Sequence, residues 1–291
     1  MKKLVERLLI FFIGIPSCIA VVVFLPQQNH LAVNLLVIIF CVLGAIELSD
    51  MLKKKGLTIS RLEAGILGSI APVGMTLLVS FGVDTFIMPA LILTGAGWLL
   101  VSGVFVSANR QDTAETKLDN ALNRVAAGFA LLFYPSSFLS WIILMNRLSH
   151  SSILIIAFLC VVFANDSLAW AAGMLFGKGN RGIFAVSPNK SLVGFITGIA
   201  ASIGVGLALA ALLPHVFISA RFPPLVSGLI LGLLTGTAAM LGDLAESALK
   251  RSAAVKDSGC LIPGRGGILD SIDSLALSAP VFYMVYRLLF V

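Results

Sequence analysis

The sequence is poor in charge for its length. Only 12% of its 291 residues are Asp, Glu, Lys or Arg, whereas average protein usage is about 25%. Hydrophobic residues make up 58% of the chain. A surface that faces water on every side needs more charge than this. The composition therefore excludes an ordinary soluble domain and indicates a membrane protein.

Cysteine is also scarce, and the four cysteines show no paired spacing. Cys18, Cys41 and Cys160 lie in apolar runs, and Cys260 stands alone in a polar segment. Zinc sites and disulfide frameworks need cysteines at short, repeated spacings. The sequence therefore predicts neither kind of site.

Apolar runs recur along the chain, each of about twenty residues, the length that crosses a bilayer as a helix. We therefore predict an all-α polytopic integral membrane protein with nine transmembrane helices. The first run follows a basic N-terminus as in a signal peptide, but no convincing cleavage site follows it, so we expect a retained helix. The predicted spans are 8–26, 31–52, 63–82, 85–107, 124–146, 152–176, 192–213, 222–241 and 271–290.

The basic residues are distributed unequally over the two ends of these spans. With the N-terminus in the cytoplasm, 17 of the 20 Lys and Arg residues lie on the cytoplasmic side, and only Arg147, Arg221 and Arg287 lie outside. Positive charge concentrates on the cytoplasmic side of membrane proteins. The pattern predicts a cytoplasmic N-terminus and an outer C-terminus. It also attributes the net charge of +6 to the anionic inner leaflet and not to nucleic acid.

The longest polar run, Gly242–Ser274, lies on the predicted cytoplasmic side and mixes five carboxylates with four basic side chains. Asp243, Ser247 and Lys250 share one face if the preceding helix continues through them. Carboxylates can hold a metal cation. Basic side chains and backbone N–H groups beside a glycine-rich turn can hold a phosphate.

Simpler interpretations of this run stay open at the level of single residues. A charged loop between membrane spans is often only solvated. Asp270 and Asp273 begin the last apolar span, so they could act merely as N-terminal caps of a helix.

Asp166 introduces a carboxylate into the sixth predicted span. An ionisable side chain is costly in a membrane and is a functional candidate by default, although a structural hydrogen bond to a neighbouring helix would also explain it. The chain then continues through Gly177-Lys178 into a polar loop that contains Ser187, Pro188 and Lys190.

The polar run resembles the signature of the phosphatidate cytidylyltransferases, the CDP-diacylglycerol synthases. The segment around Asp166 and Lys190 resembles a second block of the same family, so the resemblance covers about residues 160–275. This chain departs from the family pattern at Ser191, Val193, Arg265 and Ser271. The matching signature is Ser247-x-x-Lys250-Arg251-x4-Lys256-Asp257-x5-Pro263-Gly264-x-Gly266-Gly267-x-Leu269-Asp270-x-x-Asp273.

The resemblance implies an enzyme that joins CTP and phosphatidate to give CDP-diacylglycerol and pyrophosphate. Two polyanions meet in this reaction, so Mg²⁺ and fixed cations must offset their repulsion. We expect metal ligands among Asp243, Asp270, Asp273 and Asp166. We expect catalytic contacts from Lys250, Arg251, Lys256 and Asp257, and substrate contacts from Ser247, Lys190, Ser187, Gly266 and Gly267.

The family further implies a bacterial inner-membrane protein, with its active site facing the cytoplasm and its lipid substrate drawn from the surrounding membrane lipids. It also suggests a homodimer. Two other functions fit parts of the pattern. A CTP-dependent lipid kinase also joins a nucleotide to a membrane lipid, and a transporter also carries ionisable residues and glycine-rich helices.

We divide the chain into helices 1–4 (1–107), a cytoplasmic linker (108–123), helix 5 (124–150) and a C-terminal catalytic region (151–291).

Glu47 and Asp50 precede three lysines, and we interpret them as an acid–base cluster at the membrane surface. The family often has an acid near Glu47, so a minor role along the lipid path is an alternative. Small residues at every fourth position in helices 7 and 8, such as Gly206 and Gly232, predict close helix packing.

Overall fold

The computed structural model describes residues 14–57, 59–104, 114–219, 221–262, 264 and 266–291. Its regular elements are helices, with two isolated β-bridges in loops. The helices are α1 Ile15–Phe24, α2 Gln27–Lys53, α3 Arg61–Ser80, α4 Ile87–Val104, α5 Ala114–Leu131, a wider π-helical turn Leu132–Ser137, α6 Trp141–Met145, α7 Ser151–Phe176, α8 Leu192–Leu212, α9 Pro224–Ser252 and α10 Leu269–Phe290.

Seven helical segments in the described part of the chain are long and apolar enough to cross a membrane. These segments are Gln27–Lys53, Arg61–Ser80, Ala121–Met145, Ser151–Phe176, Leu192–Leu212, Pro224–Ser252 and Leu269–Phe290. The prediction of an all-helical integral membrane protein is thus confirmed.

The two other predicted spans are not among these seven segments. The first begins outside the described residues, and its described part, α1, has 10 residues. The fourth corresponds to α4, whose apolar part, Ile87–Ser102, is shorter than the other spans, and residues 105–107 lie outside the described residues. The total of nine therefore stays a prediction.

Two helices differ in extent from the predicted spans. Helix α9 does not end near residue 241 but continues to Ser252, because Ala, Leu, Glu and Lys, which favour helices, follow the apolar run. The fifth predicted span is interrupted at Pro135, which lacks a backbone N–H, and the Tyr134–Pro135 peptide bond is cis. Residues 114–123 of the predicted linker are helical, and 108–113 lie outside the described residues.

Small residues bring α8 and α9 close together, as their spacing predicts, and Gly242 brings α9 close to α10. A Cβ atom added to Gly206 of α8 would overlap the carbonyl oxygen of Gly228 in α9, and one added to Gly232 would overlap that of Ser202. One added to Gly242 of α9 would overlap the carbonyl oxygen of Asp273 in α10. The last contact places the C-terminal end of α9 directly against the N-terminal end of α10.

Candidate active site

The candidate active site lies where α9 ends and α10 begins. Helix α9 presents Asp243, Glu246 and Lys250 on consecutive turns, and α10 contributes Asp270 and Asp273 in its first two turns. The extension of α9 beyond the apolar run is what places these side chains on one helical face.

Lys250 joins the two helices. Its Nζ lies 2.6 Å from Oδ1 of Asp270 and also forms an ion pair with Glu246. The side chain of Glu246 is fully buried, whereas that of Lys250 is 13% exposed. Two buried carboxylates and one ammonium group carry a net negative charge, which disfavours burial unless further cations are close by.

Asp270 holds the loop between α9 and α10 through its second carboxylate oxygen. Oδ2 accepts hydrogen bonds from the backbone N–H of Ser258 (2.8 Å), the hydroxyl of Ser258 (2.9 Å) and the backbone N–H of Gly267 (2.8 Å). The contact with Gly267 is local to the start of α10, as capping requires. The contacts with Ser258 and Lys250 cross the site, so Asp270 does more than cap a helix.

Glu47 is part of this site, and its interpretation as part of a surface acid–base cluster is wrong. Asp50 does form a surface ion pair with Arg61 at 2.9 Å, but Glu47 is only 5% exposed. The carboxylate of Glu47 accepts hydrogen bonds from the backbone N–H groups of Ile268 and Leu269.

The position of Glu47 could have been inferred from helical periodicity. Glu47 lies three residues after Gly44 and four before Met51, and all three residues are buried on one face of α2.

The loop from the second family block reaches the same place. Nζ of Lys190 lies 2.5 Å from Oδ2 of Asp243 and 6.0 Å from the centre of the Phe195 ring. Ser187 accepts a backbone hydrogen bond from Lys190 at 3.1 Å, which forms the turn that presents the lysine. The guanidinium of Arg251 donates to the carbonyl oxygen of Val186 at 3.4 Å and so joins the end of α9 to this loop.

Asp166 of α7 and Asp273 of α10 lie close to these ion pairs. Oδ1 of Asp166 accepts a hydrogen bond from the hydroxyl of Ser274 at 3.3 Å, and Oδ1 of Asp273 accepts one from the Ser274 backbone N–H at 2.6 Å. Asp273 is close enough to Asp243, Glu246 and Asp166 for direct Coulombic interaction. Four carboxylates from α7, α9 and α10 therefore form one cluster, which we call the acidic cluster.

Other predicted site residues lie around this centre. Lys256 and Asp257 are exposed on the loop after α9, and Ser247 is half-buried on α9. Gly266 has a positive φ of 121°, and a Cβ there would crowd the Asp270 carboxylate, so glycine suits this position. Pro263 and Arg265 of the signature lie outside the described residues.

Two further polar side chains, Glu246 and Tyr134, were not predicted from the sequence. Both carboxylate oxygens of Glu246 are buried; Oε2 forms the ion pair with Lys250, and Oε1 lacks a hydrogen-bond partner in the described part of the chain. The hydroxyl of Tyr134 is also buried without such a partner, and it lies within Coulombic range of Asp273, Glu246, Asp243 and Asp270. Helical periodicity places Glu246 four residues before Lys250 on the same face of α9, whereas only packing brings Tyr134 to the acidic cluster.

The acidic cluster fits a divalent cation by its chemistry, since carboxylate oxygens are the ligands that Mg²⁺ prefers. The buried Oε1 of Glu246, which lacks a hydrogen-bond partner among the described residues, also fits an additional cation nearby. Within the described residues, however, no three His, Cys, Asp or Glu side chains converge closely enough to form a complete metal shell. Asp243 and Asp270 are instead directed toward Lys190 and Lys250.

Comparison with known proteins identifies the family. A family model described as the cytidylyltransferase family matches residues 5–289, almost the whole chain. The chain belongs to the cytidylyltransferase family.

Individual family members match the chain over shorter stretches. A Synechocystis sp. protein named phosphatidate cytidylyltransferase is 38% identical over 59% of this chain and 55% of its own length. A protein of the same name from Haemophilus influenzae is 39% identical over 47% of this chain and 46% of its own length. Another, from Rickettsia prowazekii, is 32% identical over 57% of this chain and 71% of its own length. The chain thus spans about half the length of two of these cytidylyltransferases.

Proposed function

We propose that the protein is a phosphatidate cytidylyltransferase, which joins CTP and phosphatidate to give CDP-diacylglycerol and pyrophosphate. The observation that carries the proposal is the meeting of both signature blocks at one site in a member of the cytidylyltransferase family. Relatives named phosphatidate cytidylyltransferase support the same substrates.

The chemistry needs no nucleophilic side chain, because the attacking oxygen belongs to the phosphate of the lipid. Lys190, Lys250, Arg251 and Lys256 would bind substrate phosphates. Backbone N–H groups of the loop that contains Gly266 and Gly267 would orient them. In the structure, Lys190 and Lys250 are paired with Asp243 and Asp270. These lysines are therefore held in place by carboxylates before any phosphate binds, which lowers the cost of organising the site.

Asp243, Asp273, Asp166 and Asp270 would hold Mg²⁺. When bound, the metal would offset the repulsion between the two substrates and stabilise charge on the leaving pyrophosphate. The carboxylates themselves also join parts of the site. Asp270 joins α10 to α9 through Lys250, Asp243 joins α9 to the loop that contains Lys190, and Asp166 joins α7 to α10 through Ser274.

The proposed setting is a bacterial inner membrane crossed nine times, with the N-terminus in the cytoplasm and the C-terminus outside. The asymmetry of Lys and Arg supports this orientation. It places the candidate site at the cytoplasmic surface, where CTP is available and the lipid phosphate can approach from the inner leaflet. A homodimer is part of the same proposal.

A radiolabelled-CTP assay tests the proposed function. Purified protein in lipid vesicles with Mg²⁺ should transfer cytidine to lipid only when phosphatidate is present. CTP labelled in the cytosine ring distinguishes this result from that of a lipid kinase, which would transfer the γ-phosphate alone. A transporter would label no lipid, and either of these two results would overturn the proposal.

A further inference from the structure

Glu47 links the N-terminal half of the chain to the candidate active site. It lies on α2, and its carboxylate accepts hydrogen bonds from the N–H groups of Ile268 (3.0 Å) and Leu269 (2.9 Å). These groups lie at the start of α10, where a helix has N–H groups without intrahelical partners. Glu47 therefore caps α10 from a distant helix, with a charge that suits the helix N-terminus.

The same carboxylate also contacts the loop that surrounds Asp270. Oε2 of Glu47 lies 3.0 Å from the hydroxyl of Ser258, which is itself 2.9 Å from Oδ2 of Asp270. A hydroxyl donates one proton, so it bonds to one of these carboxylates at a time. The backbone N–H of Ser258 holds Asp270 independently. With the ion pair of Asp270 and Lys250, these contacts form one continuous network from α2 to α9.

Glycine makes the close approach of this loop possible. A Cβ atom added to Gly259 or Gly267 would overlap the carboxylate of Glu47. The loop backbone therefore lies directly against the buried carboxylate of Glu47, so a shift of Glu47 would require Ser258 or the start of α10 to shift with it.

We propose that Glu47 is a positioning residue for the active site. By capping α10 and bonding to Ser258, it sets the position of Asp270 and, through Asp270, that of Lys250. The inference rests on the proposed function for its kinetic consequence. The structural consequence, a fixed loop over the site, follows from the contacts of Glu47 alone.

Glu47→Gln is the sharpest variant. Glutamine keeps the size of the side chain, but it has one acceptor oxygen and turns an NH₂ group toward groups that are themselves donors. We expect kcat to fall about tenfold or more, as the loss of charge-assisted hydrogen bonds at the site predicts. The Mg²⁺ concentration for half-maximal activity should rise, because Asp270 is less well placed, whereas KM for CTP should change less than kcat.

A second readout does not depend on activity. Cys260 is exposed and lies two residues beyond Ser258. In Glu47→Gln its reaction with a maleimide reagent, followed by peptide mass spectrometry, should be faster than in the wild type, because the loop has lost an anchor.

Glu63→Gln is the matched control. The Glu63 carboxylate is also largely buried and hydrogen bonded, to Arg124 at 2.7 Å and to Trp98 at 3.2 Å, and none of its hydrogen bonds to described residues involves the loop. This variant should leave kcat, the Mg²⁺ requirement and the labelling of Cys260 unchanged. Combining Glu47→Gln with Ser258→Ala should cost less than the sum of the two single changes, because both act through one network.

A purely stabilising role predicts a different outcome. Glu47→Gln would then lower the melting temperature, yet wild-type kcat per folded molecule and wild-type labelling of Cys260 would persist, and this result would overturn the inference. If Glu47→Gln does not fold, the same comparison is made with Glu47→Asp, which withdraws the carboxylate by one methylene. If the wild-type protein forms no CDP-lipid, the proposed function is contradicted. The comparison of Cys260 labelling between wild type and Glu47→Gln still tests the position of the loop.

Discussion

Lys250 is the residue on which the site is centred. It lies between Glu246 and Asp270, and it has only a small exposed surface. A single positive charge in this position has two roles at once. It reduces the repulsion between two buried carboxylates, and in the proposed reaction it would offer an ammonium group to the phosphate of a substrate.

Replacing Lys250 by Ala should therefore lower turnover strongly. A fixed charge contact at a dry site is worth about 2–4 kcal/mol, which is a rate loss of roughly thirty- to a thousand-fold. The measurement is CDP-lipid formation per folded molecule, with folding checked by size-exclusion chromatography. Arg61→Ala, which breaks an exposed ion pair with Asp50, is the control and should be almost neutral. Wild-type activity in Lys250→Ala would remove this residue from the site.

The variant Asp270→Asn distinguishes a role of Asp270 as a metal ligand from a role as a helix cap. Asparagine is a good cap, so a capping role alone predicts a stable and active variant. The structure predicts near loss of activity, because Asn supplies one acceptor oxygen where Lys250, Ser258 and Gly267 now share two. Activity is measured across a Mg²⁺ titration.

Asp50→Asn, at an exposed surface pair, is the control for this substitution. The double variant Asp243→Asn/Asp270→Asn should cost little more than either single change if both residues serve one metal. Near-normal activity of Asp270→Asn at limiting Mg²⁺ would leave capping as the better explanation.

At the scale of the helices, the contact between α8 and α9 packs the helix that carries Asp243, Glu246 and Lys250 against its neighbour. Their backbones meet at Gly206 and Gly228, where each glycine lacks room for a Cβ atom. Such contacts stabilise helix pairs in lipid, where no hydrophobic effect drives helices together. The same packing orients the far end of α9, which carries Asp243 and Lys250.

Gly206→Ala should destabilise the protein by about 1–3 kcal/mol, the usual cost of overpacking, because its Cβ would overlap the carbonyl oxygen of Gly228. The chain offers a matched control two residues away. Gly204 lies on the same helix and has no atom within 4 Å of an added Cβ. Thermal unfolding in detergent should show a lower midpoint for Gly206→Ala alone, and equal midpoints would contradict the close contact.

At the scale of the whole molecule, the orientation in the membrane decides whether the site can meet CTP. Cys260 lies in the loop of the candidate site and is exposed. His150 is also exposed, and it precedes the N-terminal end of α7, the helix that carries Asp166. The proposed topology places Cys260 in the cytoplasm and His150 outside.

An impermeant thiol reagent should label Cys260 in inside-out vesicles and not in intact cells. A cysteine introduced by His150→Cys should show the opposite pattern, which controls for reagent access. Labelling of Cys260 from outside intact cells would contradict the proposed orientation.

The apolar runs determine the class of the fold and most helix boundaries, because helix length in a membrane follows from local hydropathy. The signature blocks indicate the family, which the family model confirms, and they predict the principal acids and bases of the candidate site. Both follow from local sequence, since each block is contiguous in the chain. Contacts between distant segments do not follow from local sequence in this way. Lys190 with Asp243, Asp166 with Ser274, and Glu47 with α10 depend on which helix faces meet. Glycine contacts and side-chain packing decide those meetings, and a pattern within one segment carries no information on its partner.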